Sequence, residues 1–132
     1  MAKPIPDGYH SLTPSLTFKD CKKAIDFYSK AFGAKTLDTF PSIDGKGIMH
    51  AAIQIGNSIL MMGDEMSDMC KSAETMGGSP ISIFVYVANV DEAFKKAVAA
   101  GATVVYPVAE MFWGDRAVTV VWPPAFPRLL PH

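Results

Sequence analysis

The sequence has few cysteines and no excess of basic charge, and these absences exclude several classes of protein. Cys21 and Cys70 are the only cysteines among 132 residues, so no disulfide framework is expected and both are predicted to be reduced thiols. Twelve Lys and Arg residues stand against thirteen Asp and Glu residues, which gives a net charge of -1. Without a basic field the chain has little affinity for phosphate backbones, so no nucleic acid partner is expected.

Long apolar runs are missing as well. No stretch approaches the roughly 18 apolar residues of a membrane span, and the N-terminal segment MAKPIPDGYH lacks the apolar core of a signal peptide. We therefore expect a cytoplasmic protein without a membrane partner. The composition, 49% hydrophobic and 19% charged, is typical of one globular domain that buries its own core.

Hydrophobic periodicity predicts a βαβββ unit at about residues 8–65. Segment 11–18 alternates apolar and polar residues, as a half-buried strand does. A helix is predicted after it, with Asp20 suited to the N-cap and Gly33 suited to the C-terminal stop. Segment 34–40 is predicted to be a strand, and segment 49–62 is predicted to be two strands joined tightly at Gly56 and Asn57.

The same order recurs at about residues 80–132. A strand at 81–87, a helix at 89–102 and strands at 103–108 and 116–122 are predicted, and Gly101 ends its helix as Gly33 ends the first. Internal duplication explains this repetition, so the chain 1–132 is predicted to be a single domain of two units. The Met-rich segment 66–79 between them is predicted to be a linker, with a lid over a cavity as the alternative.

The end of the chain departs from this duplication. A final strand is expected near residues 125–132, where the sequence is instead rich in prolines that lack a backbone donor: Pro123, Pro124, Pro127 and Pro131. We therefore expect the last strand to be atypical or missing, and a missing strand would leave its neighbour with an unpaired edge. Local divergence and a shifted reading frame both account for such a tail.

The alternation of the strands also predicts where a pocket lies. The helices should cover the more apolar face of each sheet, and the opposite face then mixes hydroxyl, imidazole, amide and aromatic groups. Such a mixture is expected in a small-molecule pocket, whereas simple solvent exposure is the alternative for single hydroxyls. The candidate pocket residues on these strands are Thr13, Ser15, His50, Ala52, Gln54, Ser82 and Phe84.

Segment 112–116 completes the predicted pocket. Aromatic surface beside a guanidinium group can clamp an anionic or planar ligand, so Trp113 and Arg116 are further candidates. In the alternative interpretation, Trp113 fills the core and Arg116 pairs with Asp115 or another surface acid. Cys21 follows the helix N-cap, where the dipole could favour its thiolate, but an inert thiol is the simpler prediction.

His50 is the only histidine inside a predicted strand. It is a candidate general base and a weak candidate metal ligand, and a purely structural role is the alternative. A protein metal site needs three or four converging ligands, and few are available here. No cofactor is therefore expected, although a divalent metal with an incomplete ligand set remains an alternative. Asp64 and Glu65 follow a strand at a plausible pocket rim, where carboxylates are usually just solvated.

A family resemblance adds to this interpretation. The paired units, together with the segments AIDFYSKAFGA, MHAAIQIGNSILMMGDE, VDEAFKKAVAAGATVVYPV and FWGDR, resemble the vicinal oxygen chelate superfamily. The branch that looks most similar is the PhnB-like, glyoxalase and bleomycin-resistance type. The resemblance covers about residues 8–121. It implies an α+β fold of two βαβββ units whose curved mixed sheets surround a concave cavity, with the helices outside and the assembly often completed in a homodimer.

The resemblance also implies where metal-dependent members place their ligands. The first-strand position falls near Thr13, a second falls on His50 or Ala52, and a third falls near Ser82, so at most one offers a usual metal ligand. The fourth would come from the last strand, where relatives have a turn like Asp-Pro-Phe-Gly and this chain has WPPAFPRLLPH.

Three functional hypotheses follow. The leading one is a homodimeric, glyoxalase-like protein that binds a small organic molecule without a tightly held metal. The second is a metal-dependent lyase, isomerase or dioxygenase of the vicinal oxygen chelate type, with the metal acting as a Lewis acid. The third is an antibiotic-sequestering resistance protein that uses stacking on Trp113 and Phe84. Whether the chain is an enzyme is left open by the sequence.

Overall fold

The computed structural model describes residues 3–66, 70–122 and 128–131, without the side chains of 121 and 128–131. It divides into two compact units, Met1–Ser29 with Gly33–Ser72 and Lys30–Phe32 with Ala73–His132. Each unit contains an open, mixed four-stranded sheet, so the predicted α+β fold with two βαβββ units is confirmed. In the described part of the chain no helix is long and apolar enough to cross a membrane.

The first unit follows the predicted order. Its sheet has the strand order β1-β4-β3-β2, in which β1 is parallel to β4 and the other pairs are antiparallel. Its elements are β1 (Ser15–Phe18), α1 (Cys21–Phe32), β2 (Lys35–Pro41), β3 (Ile48–Ile55) and β4 (Ser58–Asp64). A two-residue turn at Gly56 and Asn57 joins β3 to β4, as predicted.

The predicted ends of α1 are confirmed. The Asp20 carboxylate accepts a hydrogen bond of 3.3 Å from the Lys23 backbone N–H, as an N-cap residue does. Gly33 ends the helix in the left-handed region at φ 67°, and its N–H donates to the Ser29 carbonyl at 2.9 Å. A side chain is strained in that conformation, which explains why glycine stops the helix there.

The core of the first unit lies on the face of the sheet that α1 covers. Phe18 of β1 packs edge-on against Tyr28 of α1, with 6.3 Å between ring centroids. The sheet residues that alternate onto this face are almost fully buried, and they are Ala51, Ile53, Leu60 and Met62. The helix therefore covers the more apolar face, as the sequence predicts.

The second unit repeats the topology of the first. Its sheet has the order β5-β8-β7-β6, with β5 parallel to β8 and the other pairs antiparallel. α3 packs on β6, β7 and β8. The elements are α2 (Ala73–Met76), β5 (Ile83–Val85), α3 (Val90–Ala99), β6 (Thr103–Glu110), β7 (Arg116–Val121) and β8 (Arg128–Pro131).

Four predicted segments differ in the structure. The last strand is present but short, so it is atypical rather than missing, and it pairs with both β5 and β7. β5 is only three residues long, and its pairing with β8 runs from Ile83 and Leu129 to Val85 and Pro131. β1 starts after Pro14, and Leu12, an apolar residue of the predicted half-buried strand 11–18, is 89% exposed. The segment 66–79, predicted to be a linker with a lid as the alternative, contains the short helix α2.

Candidate functional site

The helix-free face of the first sheet is the face opposite α1. Its residues alternate with the buried core residues along each strand. They form cross-strand rows, because Ser15 pairs with Met61, Met61 pairs with Ala52 and Ala52 pairs with Asp38. In the next row Thr17 pairs with Gly63 and His50 pairs with Phe40.

His50 is partly buried on this face and contacts an aromatic ring. The rings of His50 and Phe40 are tilted by 40°, with centroids 5.9 Å apart. Phe40 is 51% exposed, so the pair borders solvent and is accessible to a ligand. A ring contact of this kind restricts the orientation of the imidazole, which can donate or accept a hydrogen bond.

Gly63 separates His50 from Thr17 along the same row. A Cβ atom on Gly63 would lie 2.5 Å from the carbonyl oxygen of Met49 and 3.9 Å from the Cα of His50, so the backbone of β3 approaches this position closely. Thr17, Gly63 and Phe40 are not among the site residues predicted from the sequence. Alternation places Thr17 and Phe40 on the same face as Ser15 and His50, but their proximity depends on strand pairing that periodicity does not give.

The remaining first-unit candidates differ in accessibility. Ser15 is exposed and Gln54 partly buried, and the Gln54 amide donates to the Gly56 carbonyl at 3.0 Å. Ala52 is fully buried, so its methyl group reaches no solvent. Thr13 lies before β1 and is partly buried. The structure thus brings Ser15, His50 and Gln54 to one accessible face.

In the second unit, Phe84 lies on the face of the sheet opposite α3. Phe84 pairs with Leu130 on β8, and on the same face Thr119 of β7 pairs with Tyr106 of β6. Phe84 and Tyr106 are each about half exposed, and Thr119 is buried. Ser82 is exposed and precedes β5.

Arg116 lies on the other face of the second sheet. It shares a face of β7 with Val118 and Val120, which are fully buried on the side that α3 covers. Its guanidinium group donates to both oxygens of Asp91 at 2.9 and 3.0 Å and to Glu110 at 3.1 Å. The structure therefore does not bring Arg116 and Phe84 to the same face, and the guanidinium pairs with two acids other than Asp115.

The Arg116 ion pairs shift the pKa values of the paired groups and border a cavity. The hydrogen bonds from Arg116 lower the pKa of Asp91, and the two carboxylates raise the pKa of Arg116. A cavity of about 250 Å³ lies beside them, lined by Val87, Ala88, Asn89, Val90, Asp91 and Arg116. Because the guanidinium is already paired with two carboxylates, this cavity offers little net positive charge to an anion.

Trp113 lies in the hairpin between β6 and β7. Its indole N–H donates to the Asp115 carboxylate at 2.7 Å, and Phe112 packs edge-on against it at 4.8 Å. Trp113 is 53% exposed and Phe112 is almost fully exposed. Trp113 therefore does not fill the core, and the hairpin presents an aromatic pair to solvent.

The two carboxylates expected at a pocket rim have structural partners instead. Asp64 accepts hydrogen bonds from the backbone N–H groups of Cys21 at 2.6 Å and Ile48 at 2.7 Å. Glu65 accepts from both the N–H and the hydroxyl of Ser72, at 2.8 and 2.6 Å. Neither carboxylate is merely solvated, and sequence periodicity gave no signal for these contacts.

The Cys21 thiol is buried and is not activated. Burial raises its pKa to about 12, and the nearby carboxylates of Asp64 and Asp20 act in the same direction. The helix dipole does not overcome these effects, so the prediction of an inert thiol is the better one.

The ligand chemistry around His50 does not fit a metal ion. Its neighbours along the row are Gly63 and Phe40, which supply no metal-binding side chain. Among residues 3–66 and 70–122, no three His, Cys, Asp or Glu side chains converge as a metal site requires. We therefore assign no chemical step to a metal in this chain.

Comparisons with known proteins identify relatives of this chain. A protein of Mycobacterium bovis, described only as uncharacterized, is 40% identical over 117 residues, which are 86% of this chain and 76% of that protein. The crystal structure of TioX from Micromonospora sp. ML1 is 27% identical with a TM-score of 0.70, covering 92% of this chain and 96% of TioX. An Arabidopsis thaliana gene product of known structure is 23% identical with a TM-score of 0.72, covering 93% and 98% of the two chains.

The family assignment rests on the length of the sequence match. The family profile aligns with residues 10–123, which contain every strand and helix from β1 to β7. This chain belongs to the Glyoxalase/Bleomycin resistance protein/Dioxygenase superfamily.

Proposed function

We propose that this protein binds a small organic molecule on the helix-free face of its first sheet, without a tightly held metal. One observation carries the proposal: this face combines the hydroxyls of Ser15 and Thr17 with the His50 imidazole and a half-exposed aromatic ring, Phe40. Polar groups placed among apolar surface give a ligand both affinity and orientation. The metal-free part is supported by residues 3–66 and 70–122, among which no group of three His, Cys, Asp or Glu side chains could hold a metal ion.

The binding test is a fragment screen followed by amide chemical-shift mapping. Fragments that bind should perturb the amide shifts of β1, β3 and β4 around Ser15, His50 and Met61. The His50→Ala variant should bind the same fragments more weakly. Thr39→Ala provides a matched control, because Thr39 is an exposed β2 residue paired with Ala51 on the other face. Perturbations confined to other parts of the chain would contradict the proposal.

The metal-free part is tested separately by elemental mass spectrometry after incubation with zinc, nickel, manganese or iron(II). We expect no stoichiometric retention. Retention of one metal that is lost in His50→Ala would instead favour a metal-dependent lyase, isomerase or dioxygenase.

Antibiotic sequestration is a second candidate, favoured by the exposed pair Phe112 and Trp113. An aromatic pair at a hairpin tip can stack on a planar drug without any proton transfer. Loss of drug binding in Trp113→Ala, with His50→Ala unaffected, would support this function over the first.

We propose further that the protein is PhnB-like, cytoplasmic and homodimeric. Its chain forms one domain with units at about 8–65 and 80–132. Exposed apolar residues on the outermost strands, Leu37 on β2 and Val104 and Val105 on β6, support self-association. The free thiols of Cys21 and Cys70 support a reducing compartment. Sedimentation equilibrium tests the dimer, and a purely monomeric species at micromolar concentration would refute it.

A further inference from the structure

Two sulfur side chains lie opposite each other at an isolated bridge that follows β4. The Met66 N–H donates to the Cys70 carbonyl at 3.1 Å, and the Cys70 N–H donates to the Met66 carbonyl at 3.2 Å, in an antiparallel pair. Residues that exchange both hydrogen bonds are directly opposite, about 5.5 Å apart at Cα, and their side chains extend from the same side of the pair. A thioether and a thiol therefore lie next to each other on one side of this bridge.

A second set of contacts holds the bridge from outside. The Glu65 carboxylate, adjacent to Met66, accepts hydrogen bonds from the backbone N–H and the hydroxyl of Ser72, at 2.8 and 2.6 Å. The Glu65 N–H in turn donates to the carbonyl of Phe18 at the end of β1, at 2.9 Å. The two segments that carry the sulfur atoms are thus joined at the bridge and again beside it, so the backbone preorganises the pair for a ligand.

Both residues of the pair are accessible from solvent. Met66 is 49% exposed and Cys70 is exposed, whereas the other cysteine, Cys21, is buried with its pKa raised to about 12. Thiolate and thioether groups are soft ligands, which favour Cu(I). Zinc instead needs three or four protein ligands, and residues 3–66 and 70–122 hold no such group of His, Cys, Asp or Glu. Two sulfur ligands suffice for Cu(I), so the pair matches this ion.

We propose that Met66 and Cys70 bind one Cu(I) ion between their sulfur atoms. The ion displaces the proton of the Cys70 thiol, which leaves to solvent, and accepts one electron pair from the thiolate and one from the Met66 Sδ atom. Copper keeps its oxidation state in this step, so no oxidant or reductant is required. The inference goes beyond the proposed function, because it uses no residue of the helix-free face and concerns a monovalent ion.

The test is a titration of the whole reduced protein with Cu(I) under nitrogen, against a chromogenic Cu(I) chelator. One Cu(I) should bind per chain. Met66→Leu should weaken the apparent Kd by about tenfold or more, because even the loss of a group that only supports a metal ligand has an effect of this size. Cys70→Ser should abolish competition with the chelator. Met76→Leu is the matched control, because Met76 is an exposed methionine of α2 outside the bridge, and it should leave the Kd unchanged.

Two further measurements need no variant. Copper K-edge X-ray absorption of the loaded protein should show only sulfur neighbours around the metal, and bound Cu(I) should protect Cys70 from iodoacetamide. Nitrogen or oxygen neighbours, or full labelling of Cys70 in the loaded protein, would overturn the proposal. A Kd unchanged in Met66→Leu would overturn it as well, since Cys70 would then bind copper without its partner, and so would one copper ion shared by two chains.

Discussion

The Asp64 carboxylate at the end of β4 accepts a hydrogen bond of 2.6 Å from the backbone N–H of Cys21, the first residue of α1. Its second oxygen accepts from the N–H of Ile48 at the start of β3, at 2.7 Å. The first N–H groups of a helix have no partner within the helix, and the helix dipole favours a negative charge there. One carboxylate therefore joins the starts of a helix and a strand.

Replacement of Asp64 by Asn should destabilise the protein. Asn keeps one acceptor oxygen and replaces the other with a donor that faces a backbone N–H, so we expect a loss of about 2 kcal/mol in the free energy of unfolding, measured by urea denaturation. Asp38→Asn removes the same charge from an exposed position on β2 and should change the stability by less than about 0.5 kcal/mol. Equal stabilities of the two variants would contradict the assignment.

Much of the fold was predictable because it depends on local patterns. The caps Asp20 and Gly33, the tight turn at Gly56 and the repeated order of elements all follow from signals within a few residues of one another. The sequence does not decide whether the last strand forms, because prolines cannot donate the backbone hydrogen bonds of a sheet. The structure forms that strand with only four residues, which suffice to pair with β5 and β7.

The site was less predictable because it depends on contacts between distant residues. Alternation places His50 and Ser15 on one face. The proximity of Thr17 to Gly63, however, depends on the parallel pairing of β1 with β4, which alternation does not predict. The sequence predicts that Arg116 and Phe84 line the same pocket. The alternation of β7 instead places Arg116 on the helix side, where Asp91 and Glu110 bind it. Contacts between residues 25 positions apart leave no periodic signal.

The ion pair between Asp91 and Arg116 predicts a pH-dependent contribution to stability. Hydrogen bonds from Arg116 hold the pKa of Asp91 below its ordinary value of 3.8, so the ionised carboxylate favours the folded state. This stabilisation is present above pH 3.8 and is lost as the pH falls through the lowered pKa of the folded protein. Asp91→Asn should therefore be less stable than wild type at pH 7, and the difference should shrink towards pH 2.

Thermal unfolding at several pH values measures this effect. Glu92→Gln is the control, because it removes a carboxylate from the same first turn of α3. It should show a smaller pH-dependent difference than Asp91→Asn. The pairs are surface-exposed, so the Asp91→Asn difference at pH 7 should also decrease in 1 M salt. A difference that is constant from pH 7 to pH 2 would exclude the ion pair as its source.

The two cysteines should differ sharply in reactivity. Cys21 is buried with its pKa raised to about 12, whereas Cys70 is exposed. Iodoacetamide at pH 8 should therefore add one label to the folded protein and two labels in urea, as counted by intact mass. Cys70→Ser should abolish labelling of the folded protein, and Cys21→Ser should not. Rapid labelling of Cys21 in the folded Cys70→Ser variant would contradict its burial.

The left-handed conformation of Gly33 gives a prediction that depends on backbone strain alone. Its φ is 67°, and a Cβ atom added there would meet no atom within 4 Å, so Gly33→Ala should cost about 1 kcal/mol without any steric clash. Asn tolerates this conformation better than Ala, so Gly33→Asn should lose less stability in the same urea titration. Because the N–H of residue 33 still donates to the Ser29 carbonyl in both variants, the hydrogen bond at the helix end does not account for the difference. If Gly33→Ala is as stable as Gly33→Asn, the strain at this position is not what stops α1.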